Sequence, residues 1–154
     1  KETIEKMSKS KKGKKHTKES IEKMSKSQKE KYKDLIYLKN YVEGKNAKPN
    51  RSEKQFNKII QELIPNEYKY VGNYEVWFGG KNPDFINMNG KKKIIELFGD
   101  YWHGQERTGK SKYRAEKERS DHFKQYGFDT LIVWESELKN LTELKKKLFN
   151  FNTI

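Results

Sequence analysis

The sequence predicts an α/β (α+β) domain, a mixed sheet flanked by helices, that follows an extended linker and small basic helices. Asn89-Gly90 stands between the predicted strands 85–88 and 92–97, which is a strong signal for a β-hairpin. The apolar run 130–134 has the length of a buried strand and follows a Lys/Arg-rich stretch of helical character. The segment 4–10 recurs unchanged as 21–27, which indicates a duplicated module outside the sheet.

The composition favours a nucleic-acid partner. With 32% hydrophobic and 37% charged residues, the 154-residue chain can bury one modest core. A net charge of +13 favours a polyanionic partner, most commonly nucleic acid. The absence of cysteine excludes disulfides and thiolate zinc sites, so no zinc is expected, and it fits an intracellular location in the cytoplasm or nucleoid of a host cell. No apolar run approaches the roughly 18 residues of a membrane span, so no membrane partner is expected.

Residues 1–33 carry most of the excess charge, with 13 Lys/Arg and 5 Asp/Glu. Each copy of the repeat predicts a short helix, and Thr17 is the expected N-cap of the second. Helices this short are marginal in water, so they should order on a polyanion. We interpret 1–33 as duplicated basic helical DNA-binding modules, with a disordered basic tail as the alternative. The expected DNA contacts are Lys11, Lys12, Lys14, Lys15 and His16.

Residues 34–51 predict an extended DNA-binding linker. After a stretch that could prolong the preceding helix, the chain becomes polar and basic and is interrupted by Gly44 and Pro49. Such a segment can follow a DNA groove. Its expected contacts are Lys45, Lys48 and Arg51.

The compact domain begins at Ser52, where Ser52-x-x-Gln55 matches a capping box before an apolar helical period that Pro65 ends. Short strands are predicted at 68–71 and 74–78. The hairpin follows, and after it come a helix at 112–126, the buried strand at 130–134 and a last helix at 141–149. A hairpin followed by a helical crossover to a further strand gives a mixed sheet with helices on its faces.

Two carboxylates of the hairpin could hold a metal ion. Phosphodiester hydrolysis needs a hard cation held by oxygen ligands, and Asp84 and Glu96 could supply two of them. A two-residue turn at Asn89-Gly90 would place Asp84 opposite Ile95, whereas a three-residue loop or a bulge would bring Asp84 level with Glu96. We expect the irregular version, because bulges cluster beside active sites.

These residues also carry a family resemblance. Pro83-Asp84 followed by Glu96 resembles the PD-(D/E)xK nuclease pattern, with Phe98 in place of the usual lysine. The wider text over 52–138 resembles the very-short-patch repair (Vsr) endonuclease fold, and most of all the Vsr-like homing endonucleases of phages and introns. The motifs that carry this wider resemblance are Gly99-Asp100-Tyr101-Trp102-His103, Glu116-x-x-Arg119 and the stretch 127–135.

The resemblance implies a restriction-endonuclease-like catalytic domain at 52–154, and it implies site residues by position. Asp84 matches a metal-binding aspartate, and His103 matches a histidine that works on the attacking or leaving oxygen. A histidine suits that general acid–base role because its ordinary pKa lies near neutrality. Acidic positions of the family fall on Glu53 and Glu116, and the aromatics that wedge into the base stack fall on Tyr101 and Trp102. Glu96, Asp100 or a backbone carbonyl is expected as the second metal ligand.

The predicted function is a site-specific endonuclease that hydrolyses double-stranded DNA with Mg²⁺ or Mn²⁺, most consistent with a homing endonuclease. A repair or restriction-type nicking enzyme would share its chemistry. Vsr repair enzymes have a cysteine zinc site and an earlier histidine, where this chain has no cysteine and Phe98, so mismatch repair is disfavoured. From another class, a non-catalytic DNA- or RNA-binding protein is the alternative. A single site cuts one strand at a time, so double-strand cleavage would call for a homodimer or sequential nicks.

Overall fold

A computed structural model describes residues 16–31, 34, 37, 40–41, 44 and 48–153. The chain divides into two compact units, Lys1–Glu43 and Gly44–Ile154. In the first unit, helix α1 spans Lys18–Lys31 and none of its side chains is buried. Ser20 N donates to Thr17 Oγ1 at 3.2 Å, which confirms the predicted N-cap. The first copy of the repeat lies outside the described residues, as do Lys11, Lys12, Lys14, Lys15 and Lys45.

The second unit is a four-stranded sheet covered by helices. In chain order its elements are α2 (Arg51–Leu63), β1 (Tyr68–Tyr70), β2 (Phe85–Asn87), β3 (Lys93–Phe98), α3 (Asp100–His103), α4 (Gln105–Thr108), α5 (Lys112–Lys124), β4 (Asp129–Trp134), a 3₁₀ helix (Glu135–Lys139) and α6 (Leu141–Thr153). The sheet order is β1-β2-β3-β4, with β1, β2 and β3 antiparallel and β4 parallel to β3. The predicted mixed sheet flanked by helices is confirmed.

Strand β3 forms the centre of the core, and all six of its residues are buried. Ile95 belongs to an apolar cluster that includes Phe56 of α2 and Leu148 of α6. Ile94 packs on the other side with Phe123 of α5. Because side chains alternate along a strand, helices cover both faces of β3 and the even-numbered residues of the strand face α5.

The cap of α2 differs from the predicted Ser52/Gln55 box. Asn50 is the N-cap: its side chain accepts from Glu53 N at 2.9 Å, and Glu53 Oε2 accepts from Asn50 N at 2.9 Å. Asn-x-x-Glu satisfies the same reciprocal pattern two residues earlier. The Ser52 hydroxyl donates instead to Glu135 Oε1. The Asn50 cap is important for the site because its hydrogen bonds fix the position of Glu53.

The strand predicted at 74–78 is wrong, because a side chain supplies the backbone partners there. Asn82 Nδ2 donates to the carbonyls of Val71 and Val76 at 2.8 and 2.9 Å, and Asn82 Oδ1 accepts from Tyr74 N at 3.2 Å. Tyr74 has a φ of 69°, which lies outside strand geometry. The segment is therefore a loop wrapped around the Asn82 amide, directly before Asp84.

Helix α5 ends at Lys124, and Gly127 follows with a φ of 81°, in the left-handed conformation that glycine adopts at low cost. Strand β4 and helix α6 extend the predicted strand and last helix by one and four residues. Among the described residues, no helix combines the length and apolar character needed to cross a membrane.

Candidate active site

A cavity of about 510 Å³ opens at the carboxyl ends of β3 and β4, beside the amino terminus of α2. It contains most of the predicted site residues of the second unit. Its walls are formed by Asn50, Arg51, Ser52, Glu53, Asp84, Glu96, Leu97, Gly99, Trp102, His103, Arg119 and Glu135. We call this cavity the acidic pocket, because four of these residues are carboxylates.

Asp84 lies directly opposite Glu96. In the hairpin, Phe85 pairs with Ile95 and Ile86 with Ile94, so the register carried on by one residue brings Asp84 level with Glu96. The expected irregular register is confirmed, because a two-residue turn would have paired Asp84 with Ile95. Directly opposed residues project from the same face of a sheet. The Asp84 carboxylate also accepts from Leu97 N at 2.8 Å, which holds it against the end of β3.

Glu96 is buried, with an exposed fraction of 2%. Its Oε2 accepts from Arg119 Nε at 2.9 Å, and Arg119 Nη2 forms an ion pair with the same oxygen at 2.8 Å. Its Oε1 has no hydrogen-bond partner among the residues that the structure describes. Arg119 Nη2 also donates to the Asn82 carbonyl at 2.7 Å, so the same arginine ties β3 to the loop before Asp84. An unpaired buried carboxylate oxygen costs free energy, which a bound cation would offset.

The two carboxylates have unusual titration behaviour because of their surroundings. Burial and, after it, the nearby Asp84 charge raise the pKa of Glu96 to about 8, although Arg119 opposes the shift. Burial also raises the pKa of Asp84 to about 6, against the stabilising hydrogen bond from the Leu97 amide. Without a cation, the pair therefore tends to keep a proton near neutral pH.

Glu53 reaches the same pocket from α2, and three hydrogen bonds hold its carboxylate. Besides Asn50 N, its Oε2 accepts from the Tyr70 hydroxyl at 2.8 Å, and its Oε1 accepts from Asn50 Nδ2 at 2.8 Å. Burial raises the pKa of Tyr70, and its hydrogen bond to the Glu53 carboxylate raises it further, so the phenol stays a donor. The capping role thus presents Glu53 to the pocket in a fixed orientation.

His103 ends α3 and lines the pocket with its ring stacked on Phe98, the centroids being 3.9 Å apart and the planes 11° apart. Burial, and then the neighbouring Arg119 guanidinium, lowers the pKa of His103. The imidazole is therefore neutral at physiological pH. In that form one ring nitrogen can accept a proton, and the N–H of the other donates a hydrogen bond.

The aromatic pair before His103 is exposed. Tyr101 and Trp102 have exposed fractions of 64% and 63%, and their rings meet edge to face. The Arg107 guanidinium lies over the Trp102 ring, 4.5 Å from its centroid. Trp102 also lines the acidic pocket. This surface could stack on nucleic-acid bases, so the DNA contacts assigned to both residues remain predictions.

Two acidic residues that the sequence placed near the chemistry lie elsewhere. Glu116 Oε1 accepts from the Trp134 indole at 2.5 Å, and the acidic pocket does not include Glu116. Asp100 accepts from the backbone and the hydroxyl of Ser136 at 2.8 and 2.9 Å, so it joins α3 to the segment after β4. Of the two carboxylates considered as the second ligand beside Asp84, Glu96 lines the acidic pocket and Asp100 does not; the backbone-carbonyl alternative stays a prediction.

Sequence reasoning missed two charged pocket residues, Arg119 and Glu135, as parts of the site. Glu135 directly follows β4, and the parallel pairing of β4 with β3 brings it to the end where Glu96 lies. A signal was present, because polar residues at the carboxyl ends of parallel strands meet at one edge of a sheet. Three of the basic residues predicted to contact DNA are described, and all three are exposed: His16, Lys48 and Arg51. Arg51 also lines the acidic pocket.

A metal ion in the acidic pocket would need oxygen ligands from the side chains that line it. In the described part of the chain, no three His, Cys, Asp or Glu side chains are grouped so as to hold a metal together. Asp84 and Glu96 offer carboxylate oxygens, including the unpaired Glu96 Oε1. Mg²⁺ is commonly bound by one or two carboxylates, with water and substrate phosphate oxygens completing its shell. The pair fits that hard-cation pattern.

Comparisons with known proteins complete the description. No family model matches the chain, and no curated protein matches it. Among solved structures, the catalytic domain of the homing endonuclease I-Bth0305I is similar to 67% of this chain over 94% of its own length, with 22% sequence identity and a TM-score of 0.48.

Proposed function

We propose that the chain is a Mg²⁺- or Mn²⁺-dependent endonuclease that hydrolyses phosphodiester bonds in double-stranded DNA. The observation that carries this proposal is the opposed pair Asp84 and Glu96, with one buried Glu96 oxygen unpaired, in a pocket that His103 also lines. The net charge of +13 supports a polyanionic substrate. A bound Mg²⁺ would polarise the phosphate and favour deprotonation of water.

The residues of this chain then have separate roles. Asp84 and Glu96 would hold the cation, and Arg119 keeps Glu96 in place through the hydrogen bond from its Nε and the ion pair with its Nη2. Neutral His103 accepts a proton from the attacking water or, once protonated, gives one to the leaving oxygen. Glu53, fixed by Asn50 and Tyr70, adds a further acceptor at the rim of the pocket. Glu116 accepts a hydrogen bond from the Trp134 indole, and its catalytic role stays a prediction.

The finer assignment is a Vsr-like homing endonuclease with N-terminal DNA-binding modules at 1–33 and a DNA-binding linker at 34–51, whose described residues Tyr37, Asn40, Tyr41 and Gly44 are helical where an extended segment was predicted. The sequence resemblance over 52–138 and the exact repeat of 4–10 at 21–27 support it. Each acidic pocket would cut one strand at a time. A double-strand break would therefore come from a homodimer or from two successive nicks.

Plasmid nicking with Mg²⁺ tests the proposal. Wild-type protein should convert supercoiled plasmid to the nicked form, EDTA should stop the reaction, and Asp84→Asn should lower the rate by at least about 100-fold. Asp121→Asn is the matched control, since Asp121 is an exposed carboxylate paired with Lys117 on α5. Wild-type activity in Asp84→Asn would contradict the proposal.

Metal binding can be measured without cleavage. Mg²⁺ should raise the thermal unfolding temperature of the wild type and of Asp121→Asn, because a ligand that binds the folded state stabilises it. The shift should be absent in Asp84→Asn. An equal shift in all three proteins would place the cation elsewhere.

A further inference from the structure

A second, smaller pocket lies next to the acidic pocket and differs from it in charge. It encloses about 170 Å³ and shares His103 and Arg119 with the acidic pocket. Lys81 and Lys110 also line it, so with Arg119 three basic side chains converge on one small space. We call this space the basic pocket.

The positive charge of the basic pocket is only partly neutralised. Glu118 is the one carboxylate among its lining residues, and Glu118 is already paired with Lys110 and with Arg114, whose Nε lies 3.0 Å away. Arg119 is engaged with Glu96. The ammonium group of the half-buried Lys81 makes no hydrogen bond or ion pair with the residues that the structure describes.

The Lys81 ammonium group lies in an unfavourable electrostatic environment. Burial lowers the pKa of Lys81, and the Arg119 charge lowers it further, against the Glu118 and Glu96 carboxylates, which raise it. A cation near a second cation is stabilised by an anion that enters between them. The Lys81 backbone is fixed meanwhile, because its N–H donates to the Phe78 carbonyl at 3.1 Å and its carbonyl accepts from Phe78 N at 2.8 Å. The Lys81 side chain is thus held at the basic pocket, and its ammonium group has no partner there among the described residues.

We propose that the basic pocket binds a backbone phosphate of DNA that neighbours the phosphate cleaved in the acidic pocket. This inference rests on the proposed function for the identity of the strand. A volume of several waters, at about 30 Å³ each, suits one phosphate group. Lysine and arginine are the usual donors to phosphate oxygens. Because His103 and Arg119 border both pockets, a strand that enters one leads into the other.

The two pockets then act on different phosphates of the strand: the acidic pocket on the cleaved phosphate and the basic pocket on its neighbour. Lys81 contacts phosphate and takes no part in bond breaking, so it contributes affinity and fixes the register of the strand over Asp84 and Glu96. Binding in the basic pocket also neutralises the unpaired charge of Lys81. The contact should therefore appear in the salt dependence of DNA binding.

The test compares Lys81→Gln with Lys146→Gln, each of which removes one positive charge. Lys146 is an exposed residue of α6 paired with Glu143, so it controls for net charge. Binding of a fluorescein-labelled DNA duplex is measured by anisotropy at several NaCl concentrations in EDTA. Lys81→Gln should weaken binding several-fold and make the slope of log K against log salt shallower by about 0.9, the value for one phosphate contact. The Lys146→Gln slope should equal that of the wild type.

An unchanged slope in Lys81→Gln, or equal changes in both variants, would overturn the proposal. Thermal unfolding of both variants checks that each is folded. Because EDTA prevents cleavage, the result does not depend on hydrolysis. If Lys81→Gln changes the salt slope but the wild type never nicks plasmid, the phosphate site is supported and the endonuclease proposal is overturned. If the wild type nicks plasmid but Lys81→Gln leaves the slope unchanged, the endonuclease proposal stands and the phosphate site is overturned.

Discussion

Phe98 and His103 stack face to face, with their ring centroids 3.9 Å apart. Phe98 stands where the PD-(D/E)xK pattern has a lysine, and here that position supports an imidazole instead. Phe98 is itself fixed, being 2% exposed and packed edge to face on Trp134. The ring of His103 is thereby held at the acidic pocket by the buried core, and this placement leads to the first prediction.

His103→Gln should lower the rate of DNA nicking by about 100-fold or more, which is the usual contribution of a general acid–base group. Duplex binding should remain within a few-fold of the wild type, because the imidazole is neutral and makes no charged phosphate contact. His122→Gln is the control: His122 lies 2.5 Å from the Phe78 carbonyl, and a glutamine amide can donate there as well. Nicking at the wild-type rate by His103→Gln would exclude the role.

The second prediction concerns stability and pH in EDTA. The pKa values of Asp84 and Glu96 are raised on folding, to about 6 and about 8, so the folded state holds protons that the unfolded state has released. The resulting stability is complete below the ordinary carboxyl range and is lost as pH rises through the folded values. The free energy of unfolding should therefore fall between about pH 4 and pH 8.

Glu96→Gln should flatten that fall, because glutamine resembles the protonated carboxyl and does not titrate. Urea unfolding at a series of pH values measures the difference from the wild type, in which all other titrating groups cancel. Glu118→Gln is a useful comparison, since Glu118 is exposed and its ion pairs lower its pKa. It should not flatten the curve. Parallel curves for the wild type and Glu96→Gln would contradict the assigned burial of that carboxyl.

The fold was largely predictable from the sequence, because its signals are local. Asn89-Gly90 with its flanking apolar runs defines the hairpin, and the apolar run 130–134 defines the parallel strand β4. The segment 74–78 was not predictable in this way. Its backbone is satisfied by Asn82, a side chain several residues away, and no propensity carries that information.

The site was predictable where it depends on one hairpin and less so where it depends on packing between elements. Asp84 and Glu96 follow from a single register. Arg119 and Glu135 come to the pocket through the docking of α5 and the pairing of β4, which sequence spacing does not fix. Glu53 was identified by resemblance alone, and the reason for its orientation became visible only with the Asn50 cap and Tyr70.

That orientation can be tested with Tyr70→Phe. Removing the hydroxyl leaves Glu53 Oε2 with the Asn50 amide as its remaining donor, and a hydrogen bond to a charged group contributes about 1.5–3 kcal/mol. We expect the free energy of unfolding to fall by about that amount in urea titrations. Tyr113→Phe, at a residue 73% exposed, should change it by less than about 0.5 kcal/mol. Equal values for the two variants would show that the Tyr70 hydroxyl does not stabilise Glu53.

Deleting residues 1–33 should separate DNA affinity from hydrolysis. The deleted part carries 13 Lys/Arg against 5 Asp/Glu, and the described helix α1 buries none of its side chains, so it should act by binding phosphates. Duplex binding should weaken, and its salt slope should become shallower by roughly 0.9 for each phosphate that the protein no longer neutralises. Full-length His103→Gln, which keeps these cations, should retain the wild-type slope while failing to nick.

The truncated protein should still nick plasmid with Mg²⁺ at low salt, because all residues of the acidic pocket lie in Gly44–Ile154. An unchanged salt slope after the deletion would contradict a DNA-binding role for these modules, since a protein that neutralises fewer phosphates must also release fewer counterions.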